Sequence, residues 1–148
     1  MHQTRALLAV VLAALSLNAA AATLVCPELS GAAPVNACPL EDELKHTYHG
    51  YCSDSAKAYA NQTDSCIRYE DYRAMKNVAR WESSDGVFDG YVSCDLPSAE
   101  VKAQRASDMQ LEKQGKLSKL VCSYPNGVKF TFRTKGSCTV ANAQATCD

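Results

Sequence analysis

Residues 117–133 read LSKLVCSYPNGVKFTFR. Leu120, Cys122 and Tyr124 recur at every second position, and so do Phe130 and Phe132. A period of two places each set on one face of an extended strand. Pro125-Asn126-Gly127 lies between the two runs and supplies residues suited to a tight turn. The stretch therefore predicts an antiparallel hairpin with one apolar face.

The same character extends upstream to about Asn77. Val78–Ser83 and the segment from Val87 to Cys94 read as strands, with Asp85-Gly86 as the hairpin turn and Asp89-Gly90 as a bulge in the second strand. Residues 97–114 carry two signals. Pro97-Ser98, Glu100 and Gly115 are helix start and stop residues, whereas Val101, Ala103, Arg105, Ser107, Met109 and Leu111 fit a strand of period two. Strand is the expectation taken, completing a meander of four or five antiparallel strands.

The N-terminal half reads differently. Residues 23–39 are rich in Ala, Pro and Gly and predict an extended arm. Pro39 suits the first turn of a helix, with Glu41, Asp42 and Glu43 at its positive end and Leu40 and Leu44 on one face. Thr47-Tyr48-His49-Gly50 is expected to end that helix. Residues 53–61 predict a short helix. A longer one over 66–76, capped by Asp64 or Ser65, would carry Ile67, Ala74 and Met75 on one face. The fold class expected is α+β: a disulfide-tethered arm, two or three helices, then the meander.

Eight cysteines, at 26, 38, 52, 66, 94, 122, 138 and 147, bound the compartment. An even count in an exported chain predicts a disulfide framework. Export is predicted from residues 1–22, where a short n-region with Arg5 precedes an apolar run from Ala6 to Leu17 and small residues suited to cleavage before Thr23. The run is too short for a membrane span. Leu24 and Val25 before Cys26 do not suit lipoprotein processing. The expectation is a periplasmic or secreted protein whose residues 23–148 form a single domain. Among roughly a hundred connectivities open to eight cysteines, short loops favour Cys26–Cys38, Cys52–Cys66 and Cys138–Cys147, which leaves Cys94–Cys122. The gaps of 14, 14, 28 and 28 between Cys38 and Cys122 reflect no repeat, because residues 66–94 and 94–122 share nothing else.

Charge excludes one large class of partner. Removing Arg5, the only formal side-chain charge in residues 1–22, leaves 14 Lys and Arg against 16 Asp and Glu, a net charge of −2. Phosphate neutralisation needs a concentrated basic face, so nucleic acid is not the expected partner. Three Phe and one Trp make a modest core that disulfides would reinforce.

Residues that could carry chemistry are few. The cysteines lack the close pairs of zinc sites, and an even count leaves no free thiolate, so neither a metal nor a cofactor is expected. His46 and His49, at i and i+3, and the carboxylates Glu41, Glu43, Glu70, Asp71, Glu82, Asp85 and Asp89 are the material for an alternative, a small secreted hydrolase. No Ser lies in a G-x-S-x-G or S-x-x-K context at a strand-to-helix elbow. Tyrosines are frequent, and Arg68-Tyr69-Glu70-Asp71-Tyr72-Arg73 groups aromatics with arginines, the residue types that anchor interfaces. Arg68, Tyr69, Tyr72 and Arg73 are the candidate binding residues. The competing reading is that Tyr69 and Tyr72 cover a helix–sheet seam. Asn61-Gln62-Thr63 is a glycosylation sequon in a eukaryotic setting.

The pattern Trp81-Glu82-Ser83, Asp85-Gly86, Gly90-Tyr91, Ser93-Cys94, Gly115-Lys116-Leu117, Cys122-Ser123-Tyr124 and Cys138 resembles small exported cysteine-rich bacterial proteins of unknown function. The resemblance covers the second half of the chain. It implies a periplasmic or secreted location and an antiparallel C-terminal sheet, and it carries no catalytic residues. The function expected is a non-catalytic exported protein that binds another macromolecule, a protein or envelope component, as an inhibitor, immunity-type or accessory factor.

Overall fold

The computed structural model describes residues 22–53, 56, 60 and 66–148. The predicted signal segment up to residue 21, the sequon, the Asp64 and Ser65 caps and most of the predicted 53–61 helix lie outside the described residues. The chain is α+β. Nine strands, β1 (Ala22–Val25), β2 (Ala33–Pro34), β3 (Val78–Glu82), β4 (Asp89–Ser93), β5 (Asp108–Gln114), β6 (Leu117–Ser123), β7 (Lys129–Thr134), β8 (Cys138–Ala141) and β9 (Gln144–Cys147), form two antiparallel sheets. Three α-helices are present among the described residues: α1 (Glu41–Cys52), α2 (Tyr69–Lys76) and α3 (Ser98–Ala103).

The larger sheet has the order β2-β3-β4-β7-β6-β5. The β6–β7 hairpin pairs Leu120 with Phe132 and Cys122 with Phe130 around the 125–127 turn, and Gly127 takes the positive φ of 73° that the turn requires. The face read from sequence is the core face: Leu120, Cys122, Tyr124 and Phe130 are buried with Trp81, Phe88 and Val92. The β3–β4 hairpin closes at Asp85-Gly86 as expected. The Asp85 carboxylate accepts from the Ser83 hydroxyl and the Val87 amide, which holds it below the usual carboxylate range.

Strands β3 to β7 form the expected antiparallel sheet and roughly realise the meander, with β7 rather than β5 beside β4 and three further differences. Asp89-Gly90 is regular strand, not a bulge, since Gly90 pairs with Trp81. Glycine is needed there because a Cβ would overlap the Lys129 carbonyl of β7. Residues 98–103 are helical and only 108–114 are strand, because Pro97 starts a turn that buries Val101 in the core. The arm also contributes strands: β2 extends the larger sheet, and β1 pairs with β9 in a three-stranded sheet of order β1-β9-β8.

All eight cysteines are paired. Cys52–Cys66 and Cys138–Cys147 are the expected local bridges. Cys26–Cys38 and Cys94–Cys122 are not formed. Cys26 instead joins Cys122, and Cys38 joins Cys94, with Cα separations of 5.6 Å and 6.0 Å. Between Cys26 and Cys38 the chain buries Leu29 and lays β2 along β3, which carries Cys38 away to the end of β4. Proximity in the fold, not loop length, selects these two pairs. Tyr124 reinforces the first strap by donating its hydroxyl to the Pro27 carbonyl at 2.7 Å, and burial pushes its phenol well above the ordinary range.

Candidate functional site

The region from Pro39 to Lys76 is where the candidate residues gather. Helix α1 starts on Glu41, Asp42 and Glu43 as expected, and the Glu43 carboxylate accepts the Leu40 amide at 2.8 Å. It does not end at Thr47–Gly50 but continues to Cys52. The Thr47 hydroxyl folds back onto the Glu43 carbonyl, and Tyr48 and Tyr51 find aromatic partners on α2. Helix α2 begins at Tyr69, later than the expected residue 66, shortly after the Cys52–Cys66 bridge.

Tyr72 is the pivot between the helices. It is buried, and its hydroxyl donates to Thr47 at 2.9 Å. Its ring meets Tyr48 edge-on at 5.2 Å. Tyr51 lies against it with ring centres 5.5 Å apart. Such tilted and edge-on pairs are the favoured aromatic geometries. Tyr72 therefore packs on α1 rather than covering a helix–sheet seam, and it is no surface contact. The face assigned to Ile67, Ala74 and Met75 is exposed instead. Tyrosine outcompetes them for the interior because its ring fills the crossing while Thr47 satisfies its hydroxyl.

Tyr69 and Arg73 form a polar clamp. Tyr69 donates to Glu41 at 2.7 Å, and Arg73 donates through Nε to the same carboxylate at 3.1 Å. The outer guanidinium nitrogens of Arg73 grip Asp95, past the end of β4, at 2.8 Å and 3.0 Å, and the Asn77 amide adds a third bond at 3.0 Å. Helix α2 is thus fastened to the sheet by a bidentate pair. The Tyr69 hydroxyl and then Arg73 lower the Glu41 carboxyl, and Arg73 lowers Asp95. Partial desolvation and the Glu41 carboxylate push the Tyr69 phenol up to about 12, so it stays a donor. Arg68 is exposed and pairs with Asp71 at 2.8 Å.

The alternative catalytic residues do not converge. His46 and His49 are both exposed, and His49 lies edge-on to Tyr48. Glu41 and Asp71 are each bonded to arginine and held below the usual range, the opposite of what a general acid needs. Glu82 and Asp89 both pair with Arg80 on the open face of the larger sheet, where Arg133 also reaches Asp89. Among the described residues no three His, Cys, Asp or Glu side chains are grouped as metal ligands.

One contact escaped sequence reasoning because it forms across strands. Lys113 Nζ donates to Ser118 Oγ at 2.7 Å. A serine–lysine pair can act as nucleophile and base. Ser118, however, is 1% exposed and donates its hydroxyl hydrogen to the Gly136 carbonyl at 2.8 Å. It braces the turn before β8.

Among the described residues an open groove of about 550 Å³ lies between the helices. Leu44, Tyr51 and Tyr72 line it, with Glu43, His46 and Lys76. Lys76 Nζ lies 5.2 Å from the centre of the Tyr51 ring, within cation–π range. The Leu40/Leu44 spacing on α1 was the one sequence signal for this groove. No protein-family model, curated protein or solved structure matches the chain. No helix of the described residues is long and apolar enough to cross a membrane. The four disulfides agree with an oxidising compartment.

Proposed function

We propose that this chain is a non-catalytic exported protein that binds another macromolecule, a protein or envelope component, through the α1–α2 hairpin. One observation carries the reading. Ile67 is 75% exposed, next to the Cys66 bridge that holds its backbone in place. A large aliphatic is thus presented to water on a pre-organised support, which lowers the ordering cost of a contact. Arg68 beside it supplies a charged neighbour. Two of the rival hydrolase's carboxylates, Glu41 and Asp71, are bonded to arginine and held below the usual range, which favours binding over acid–base chemistry at those positions. A photo-crosslinking side chain at position 67, introduced into the exported protein in its native compartment, should yield a discrete adduct with a different macromolecule. Substitution Arg68→Glu should reduce the yield. No such adduct, or hydrolysis of peptide, ester or glycan substrates that is lost in His46→Ala, would overturn the reading.

A further inference from the structure

The larger sheet is joined across its middle by a narrow seam. Strand β4 pairs with β3 at five positions and β7 pairs with β6 at six, but β4 and β7 pair at Asp89 and Thr131 alone. A cleft of about 400 Å³ lies over this seam. Tyr91 of β4 forms one wall, and Lys129, Thr131 and Arg133 of β7 form the other. Strand alternation turns these side chains to the open face, since Gly90, Val92 and Phe130 between them are buried.

The side chains along the cleft are strikingly unengaged for their types only at three positions. Tyr91 is 67% exposed, the one exposed Tyr, Phe or Trp among the described residues. Tyr48, Tyr69, Tyr72 and Tyr124 each bond through the hydroxyl, whereas Tyr91 has neither a side-chain hydrogen bond nor a ring contact among the described residues. The Lys129 ammonium has no partner there either. Arg133 reaches Asp89 through a single nitrogen at 3.4 Å, which leaves most of its donors open. Asp89 is the one acid of the lining, and Arg80 already holds it at 2.9 Å. Residues 113–147 contain six Lys or Arg and no Asp or Glu, so the charge that β6 and β7 bring to this wall is all positive.

We infer that this cleft binds a small sugar acid, a pyranose ring bearing one carboxylate. The C–H face of a pyranose is apolar and lies flat on an aromatic ring, which Tyr91 offers. Its hydroxyls both donate and accept, so they suit a lining that mixes the donors Lys129 and Arg133 with the acceptors Asp89 and Thr131. Its carboxylate makes a charge-assisted contact with Lys129 or Arg133. The volume is of the size that holds a small ligand. A polyanion fits less well, because Asp89 stands among the cations and repels a second negative group. A neutral sugar leaves the Lys129 charge unmatched. The cleft takes a small molecule, lies apart from the α1–α2 hairpin and does not depend on the contact proposed there.

Amide NMR of the oxidised protein titrated with glucuronate, galacturonate, glucose and acetate tests this. At least one of the two sugar acids should shift the amides around Tyr91 and Lys129 saturably, and should bind more tightly than glucose or acetate. Tyr91→Ala should weaken that binding about tenfold and Lys129→Gln about threefold. Both side chains are exposed, so the remaining amide spectrum should stay that of the folded protein, and Lys129→Arg should retain binding. No saturable shift at the seam with either sugar acid overturns the inference. So does a response to acetate as strong as that to the sugar acids, or binding that is unchanged in both Tyr91→Ala and Lys129→Gln. Tighter binding of AMP or of triglutamate at the same ionic strength also overturns it, in favour of a nucleotide or an acidic peptide.

Discussion

In the sheet body, Phe88, Val92, Leu120 and Phe130 are sealed from solvent with a dozen further apolar side chains around them. In the α1–α2 hairpin, Leu44 and Tyr72 are the only buried side chains among the described residues. The body is held by area removed from water. The hairpin is held by attachments: Cys52–Cys66 within it, Cys38–Cys94 at its root, and the Arg73 grip on Asp95. An element whose shape does not depend on its own core can leave Leu40, Ile67 and Met75 in water. That contrast is why we propose the hairpin, and not the body, as the contact surface.

The disulfides offer the most forceful challenge to this division of labour. Cys26–Cys122 closes 96 residues and Cys52–Cys66 closes 14. Loop-closure entropy then assigns about 4–5 kcal/mol to the first and about 3 kcal/mol to the second. Cys26→Ala/Cys122→Ala should lower the midpoint of global denaturant unfolding. Cys52→Ala/Cys66→Ala should instead raise amide exchange in α1 and α2 while leaving the core strands protected. Equal loss of protection in both regions would show that they unfold as one unit.

A second test lies inside the body, whose core carries one flaw. Gln104 is buried, and neither its amide nitrogen nor its carbonyl oxygen has a hydrogen-bond partner among the described residues. Gln104→Met keeps the length and removes the unpaired dipole, so thermal unfolding should report a gain of about 1 kcal/mol. A loss would mean that the amide is satisfied by water. A smaller gain is expected at the β8–β9 turn, where Ala143 holds φ 58°. Ala143→Gly should relieve the left-handed strain by up to about 1 kcal/mol.

The smallest effect concerns the clamp, because exposed ion pairs are screened by solvent and salt. Glu41 and Asp95 titrate lower in the folded protein than in the unfolded chain. Their contribution is therefore complete above about pH 5 and is lost as pH falls through the folded-state values. Amide exchange in α2 should rise over that acid range, and Arg73→Met should flatten the dependence. Persistence of the same profile in Arg73→Met would remove the clamp from the description of the hairpin.

Much of the body was legible in the sequence and much of the hairpin was not. Strand faces follow from alternation, and Asp85-Gly86 and Pro125-Asn126-Gly127 mark turns through backbone preferences that act within a few residues. Helix α1 was legible at its start, where Pro39 and three acids act locally. It was misread at its end, because Tyr48 and Tyr51 extend it by contacts with residues on α2, far along the chain. Of the candidate site, the Arg68–Arg73 segment stood out by residue type alone, but that signal did not show that Tyr72 is interior or that Tyr69 and Arg73 bond Glu41 and Asp95. Asp95, which completes the clamp, carried no signal of its own.

Some features follow from order along the chain alone. The α+β class, the apolar face of the β6–β7 hairpin and the two short disulfides each depend on conformations and separations within one local segment. Other features exist only once the chain is folded. Cys26 meets Cys122 and Cys38 meets Cys94, the arm becomes strands of two sheets, and Tyr72 points inward. Those outcomes depend on which distant surfaces come together, and local propensity does not encode the meeting of segments that lie tens of residues apart.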